Sequence, residues 1–118
     1  MNALGRHILL ELKDCDKEVL NNLSIIKSIL PAAASAAGAT VLGESFHQFA
    51  PQGVSGVVII AESHLFIHTW PECGYAAVDI FTCGNTVQPE KAVRKLVREL
   101  KPKTHSMLEI QRGILDTD

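Results

Sequence analysis

Between residues 62 and 83 the chain places Glu62, Ser63, His64, His68, Glu72, Cys73 and Cys83. These types can do chemistry near neutral pH. A thiol or an imidazole titrates close to neutrality and can carry protons to or from a reacting atom. A serine hydroxyl becomes a nucleophile once a base takes its proton, and a carboxylate accepts hydrogen bonds from hydroxyl groups. The segments that hold them are otherwise apolar and rich in β-branched residues. Two histidines, two carboxylates and two thiols among core positions conflict with local burial, and such conflicts collect at functional sites.

Each residue taken singly also has an ordinary reading. Ser63 alone is a turn serine, Cys83 in a strand is a small buried hydrophobe, and Glu72 in a turn is a solvated charge. Phe49 and Trp70 would be core or interface aromatics. His64 and His68 lie four apart on a strand and share a face, so they could hold a metal ion. No third ligand has a matching spacing, and partly buried, hydrogen-bonded histidines are the commoner case.

The elements that must position these residues follow from periodicity and punctuation. His7 to Leu12 reads as a strand. A helix is expected from Asp14 or Asp16 to about Ala37, with Val19, Leu20, Leu23, Ile26 and Leu30 as its apolar stripe and Gly38 as its stop. Pro31 should kink or shorten it. Thr40 to Phe49, Val54 to Ile60, His64 to Trp70 and Tyr75 to Cys83 read as four strands, with turns at Pro51 to Gly53, Ala61 to Ser63 and Pro71 to Gly74. Pro89 opens a second helix that runs to Leu100, and His105 to Gln111 is a last strand. Lys91, Arg94, Lys95 and Arg98 give that helix a solvated basic face. The order strand, helix, β-meander, helix, strand indicates an α+β fold, a two-layer sandwich of one mostly antiparallel sheet with two helices on one face.

The turn at Pro71 to Gly74 has a geometric consequence. If Trp70 pairs with Tyr75, Cys83 falls opposite Glu62 and beside Ser63. A thiol then sits next to the Glu62–Ser63 bond.

At 118 residues, with no repeat, linker or low-complexity tract, the chain is read as a single domain, 1–118. A net charge of −2 gives no reason to expect a nucleic-acid or membrane surface. No stretch is long and apolar enough for a spanning helix, and the first residues lack the pattern of a signal peptide. Three cysteines at irregular spacing, Cys15, Cys73 and Cys83, argue against a disulfide framework and for a reducing, cytoplasmic setting.

Glu62-Ser63-His64-Leu65-Phe66-Ile67-His68-Thr69-Trp70-Pro71-Glu72 resembles the signature of the bacterial and archaeal S-adenosylmethionine decarboxylases. So do Gly74 to Gly84, Gly53 to Val58 and the opening Leu4-Gly5-Arg6-His7. The resemblance implies a proenzyme. The Ser63 hydroxyl attacks the Glu62 carbonyl and turns the amide into an ester. Elimination cleaves that ester, and loss of ammonia leaves a pyruvoyl group where Ser63 stood. The products would be chains 1–62 and 63–118. The pyruvoyl ketone would form a Schiff base with the substrate amine and accept the electrons that decarboxylation leaves at Cα, which no ordinary side chain can do. By the same resemblance His68 takes a proton during self-cleavage, Ser55 positions the precursor and Cys83 reprotonates Cα. Glu72 would accept hydrogen bonds from the ribose, and Phe49 and Trp70 would stack on adenine and attract the sulfonium. The partner is S-adenosylmethionine, the product an aminopropyl donor for spermidine synthesis, and the assembly a homodimer of cleaved protomers with the site near the interface.

The sequence departs from the family pattern at Cys73, where an aromatic residue is common, at Pro31, and in its short end after Arg112. Three other readings compete: a pyruvoyl-dependent arginine or ornithine decarboxylase, an uncleaved nucleoside-binding or regulatory homologue, and a metal-binding domain built on His64 and His68.

Overall fold

A computed structural model describes residues 3–115. Six strands, β1 (Ala3–Lys13), β2 (Thr40–Gln48), β3 (Val54–Ala61), β4 (Ser63–Trp70), β5 (Tyr75–Cys83) and β6 (Thr104–Ile114), form one sheet in the order β2-β3-β4-β5-β1-β6. Every neighbouring pair is antiparallel. The expected α+β sandwich is therefore present. β1 and β6 run longer at both ends than their apolar patterns indicated.

Alternation decides which face is covered. On β3, Val54, Gly56, Val58 and Ile60 are buried; on β4, Leu65, Ile67 and Thr69; on β5, Ala76, Val78, Ile80 and Thr82. These residues meet two helices on one side, α2 (Leu23–Ala36) over β2 to β4 and α3 (Pro89–Leu100) over β5 and β1. Ile26, Leu30, Ala33, Ala92, Leu96 and Leu100 complete a single core. Each fully buried Leu or Ile contributes roughly 1.5–3 kcal/mol by leaving water. The other sheet face is open.

The expected long first helix is in fact two. A single turn, α1 (Lys17–Leu20), is capped by Asp16, whose carboxylate accepts from the Glu18 and Val19 N–H groups. The break falls at Asn21 and Asn22, not at Pro31. Asn22 starts α2 afresh by accepting from the Ile25 N–H at 3.0 Å, a role its short side chain prefers to helix interior. Pro31 sits inside α2. It denies a hydrogen bond to the carbonyl of Lys27, an exposed residue, where water can replace it. Gly38, at φ +86°, ends α2 as expected. No helix among the described residues is long and apolar enough to cross a membrane.

Candidate active site

The register between β4 and β5 pairs Trp70 with Tyr75 and Ser63 with Thr82, as the turn required. Glu62 is the single residue between β3 and β4. Ser63 has φ +118°, a region that L-residues rarely occupy and that stores strain at functional positions. Strict alternation would put Ser63 on the helix face and Cys83 on the open face. The unusual backbone at Ser63 breaks the pleat, and its Oγ lies 3.1 Å from Cys83 Sγ. A cleft of about 580 Å³ opens beside them, lined by Leu4, Arg6, Glu62, Cys83, Asn85 and Gln111 among others. Arg6 is not free to bind an anion there. Its guanidinium grips Glu109 in a bidentate pair at 2.8 and 3.0 Å and also binds Glu90 on α3, which holds both carboxyls below their usual range.

His64, next to Ser63, packs against Phe81 and His7 on the open face, with ring centroids 5.7 and 6.3 Å away. Burial, then the neighbouring His7, lowers its pKa, so neutral imidazole is favoured. His7 Nε2 has no hydrogen-bond partner and lies 3.6 Å from an Asp79 carboxylate oxygen.

A second group gathers at the far end of the same face. Ser55 and His68 are direct cross-strand partners, and Ser55 Oγ meets His68 Nδ1 at 2.7 Å. Phe66 stacks on His68 at 4.6 Å, and Trp70 stacks on Tyr75 at 5.3 Å. Burial, then the Glu11 carboxylate, pushes the Tyr75 phenol up to about 12, so it stays neutral. A cleft of about 310 Å³ is lined by Phe49, Gly53, Ser55, His68, Trp70 and Glu72, with Gln52 and Thr69. Three elements converge here: the β2–β3 loop brings Phe49, β4 brings His68 and Trp70, and the short 3-10 turn Pro71–Cys73 brings Glu72.

The chain thus assembles two half-sites. Glu62, Ser63 and Cys83 meet at one end, and Ser55, His68, Phe49, Trp70 and Glu72 at the other. Ser63 and His68 are five residues apart on one extended strand, about 16 Å at strand rise, so one chain does not bring them together. His64 and His68 share the open face but stand about 13 Å apart, too far for one ion to bridge. Among the described residues no group of three or more His, Cys, Asp or Glu could hold a metal. Cys73 is exposed; Cys15 is buried, and burial, then Asp14, pushes its thiol up to about 11, which makes it inert.

Sequence reasoning missed three residues that shape these half-sites. His7 sits in an apolar strand, where an imidazole was itself a signal. Buried Thr69 accepts from the Val54 N–H at 2.9 Å and donates to the Leu20 carbonyl at 2.8 Å. Asn21 reaches the β2–β3 loop, and its position in an Asn-Asn pair, poor in helix, could have marked the break.

An antiparallel sheet backed by helices on one face, with a strained serine touching a cysteine at a strand start, defines a small two-layer α+β protein. The chain belongs to the S-adenosylmethionine decarboxylase family, whose model matches residues 6–113. It is 53% identical over 115 residues to an S-adenosylmethionine decarboxylase proenzyme of Thermodesulfovibrio yellowstonii, covering 98% of this chain and 85% of that one. It is 55% identical over 116 residues to the proenzyme of that name from Caldicellulosiruptor saccharolyticus, covering 98% and 94%. The crystal structure of the adenosylmethionine decarboxylase from Aquifex aeolicus superposes with a TM-score of 0.92 at 36% identity, over 100% of this chain and 98% of that one.

Proposed function

We propose that this chain is a proenzyme that cuts itself between Glu62 and Ser63 and then decarboxylates S-adenosylmethionine, yielding an aminopropyl donor for spermidine synthesis. The observation that carries the reading is Ser63 itself, held at φ +118° with its hydroxyl 3.1 Å from the Cys83 thiol in a chain of this family. The relatives' names favour S-adenosylmethionine over arginine or ornithine.

The donor set fits a pyruvoyl group derived from Ser63, since the serine starts a strand next to a cleft and a proton donor. Once formed, that group supplies the electron sink that decarboxylation requires. Cys83 holds a proton beside this position for delivery to Cα. In the tautomer that donates Nδ1–H to Ser55 Oγ, His68 has its Nε2 lone pair free to take a proton during self-cleavage. Glu72 accepts from the ribose hydroxyls, while Phe49 and Trp70 offer their faces to adenine and the sulfonium.

His68 cannot act on Ser63 of its own chain at about 16 Å. The open face also carries Ile59, Trp70, Leu108 and Ile110 exposed, next to Phe66 and Phe81, an apolar expanse unlike an ordinary solvated sheet face. A second copy laid face to face, with its β4 reversed, covers this surface. It sets the His68 end of one protomer over the Ser63 end of the other, twice by symmetry. The assembly is therefore a homodimer with two shared sites. The three cysteines are unpaired, which suits the cytoplasm.

An intact mass spectrum with and without borohydride tests the reading. Two fragments, 1–62 and 63–118, are expected, the second with a reducible carbonyl in place of serine. Carbon dioxide should be released from S-adenosylmethionine and not from arginine or ornithine. A single full-length species that never splits would overturn the proposal.

A further inference from the structure

The chain leaves helical geometry for two residues: Asn22 caps α2 with its side chain, whereas Asn21 closes α1 through its backbone N–H, bonded to the Lys17 carbonyl, and its side chain is left for another role. Asn21 turns toward the loop between β2 and β3. Its Oδ1 accepts from the Gly53 N–H at 2.9 Å and from Gln48 Nε2 at 3.0 Å. Gln48 Nε2 also lies 3.1 Å from the Asn21 carbonyl. Inside the loop, Phe49 donates its N–H to the Gly53 carbonyl at 2.8 Å. Gly53 has φ +108°, and a Cβ there would press to 3.2 Å from the Thr69 carbonyl, so glycine is needed to aim this N–H at Asn21. Thr69 ties the neighbouring Leu20 carbonyl to the Val54 N–H. The end of α1 is thus bonded to both sides of the segment that carries Phe49.

Phe49 needs such an anchor. Its side chain is 47% exposed, and its ring meets His47 edge-on at 4.6 Å. Core packing alone does not fix it. We propose that Asn21 is a positioning residue for substrate recognition: its carboxamide oxygen holds the 49–53 loop, and with it Phe49, against Trp70 and Glu72 across the cleft. The inference rests on reading that cleft as the seat of the nucleoside end of the substrate.

Asn21→Ala removes the acceptor for both donors, while Asn21→Asp keeps it. Self-cleavage is followed by intact mass, turnover by carbon dioxide release over a range of S-adenosylmethionine concentrations, and binding by quenching of Trp70, the chain's one tryptophan. The loss of two ordinary hydrogen bonds predicts that Asn21→Ala weakens binding and raises KM roughly tenfold to thirtyfold, with kcat and self-cleavage within about twofold of wild type. Asn21→Asp should restore binding. Gln48→Leu, which leaves the helix break intact, should show a smaller rise of the same kind. Unchanged binding in Asn21→Ala overturns the inference, as does a parallel loss of cleavage, kcat and binding that Asn21→Asp fails to restore. A wild type that binds S-adenosylmethionine without decarboxylating it would sink the functional reading, while the binding series would still decide the role of Asn21.

Discussion

The two ends of the open sheet face each hold a serine bonded to a titratable side chain, and they differ in what holds them. At the Ser63 end the backbone is forced out of strand geometry so that a hydroxyl can reach a thiol across neighbouring strands. At the Ser55 end, regular pairing alone sets Ser55 opposite His68, and the aromatic neighbours stack along ordinary β4 and β5 positions. One end is strained and beside a chain turn; the other is relaxed and opens on a cleft lined by Phe49, Trp70 and Glu72. The extended strand between them keeps Ser63 and His68 about 16 Å apart within one chain, so the proposed self-cleavage requires a second chain.

The largest change should come from mixing inactive chains. Ser63→Ala should abolish cleavage, and His68→Ala should slow it by about 10²–10⁴-fold. Co-expressed, the two variants form hybrid dimers in which one shared site is whole. Fragments should then appear from the His68→Ala chain alone, identified by mass. No fragments in the mixed sample would mean that each site is built within one chain.

Next in size, Cys83→Ser keeps a hydroxyl at hydrogen-bond reach of Ser63 but is a poor proton donor near neutrality. Cleavage should persist, and kcat should fall by about 10²-fold or more. Loss of both together would tie the thiol to the strained end alone.

Thr69→Val sharpens the relaxed end. It strands the buried Val54 N–H and Leu20 carbonyl, at a cost of about 1–3 kcal/mol. Urea denaturation at fixed protein concentration should show a lower midpoint at an unchanged slope.

The smallest effect concerns His64, beside the strained end. Burial, then His7 and Arg112, holds its folded pKa low, against a raising influence from Asp79. A depressed folded value means that the unfolded chain binds the proton more readily. His64 therefore supports the fold above about pH 6.5 and withdraws that support as pH falls. His64→Phe should flatten the loss of stability between pH 7.5 and 5. An equal slope in both proteins would assign the loss to other groups.

Much of the fold was legible because antiparallel strands joined by short turns leave little freedom of register. The Pro71–Gly74 turn fixed Trp70 against Tyr75, and the alternation from Tyr75 to Cys83 then placed the thiol by Ser63. The helix break was misplaced at Pro31 because proline is a strong local signal. The true break depends on Asn21 bonding to a loop 32 residues away, which no local pattern contains. His68 was grouped with Ser63 because both lie in one motif, yet motif membership carries no distance.

By itself the sequence determined the order of the elements, the α+β class, the thiol beside Ser63 and the family, since local pairing and periodicity are properties of adjacent residues. Only the tertiary structure decided that the proposed catalytic residues divide into two groups and that the end of α1 is bonded to the Phe49 loop. Both depend on how far an extended strand carries its side chains apart and on which distant backbone groups a folded chain brings within hydrogen-bond reach.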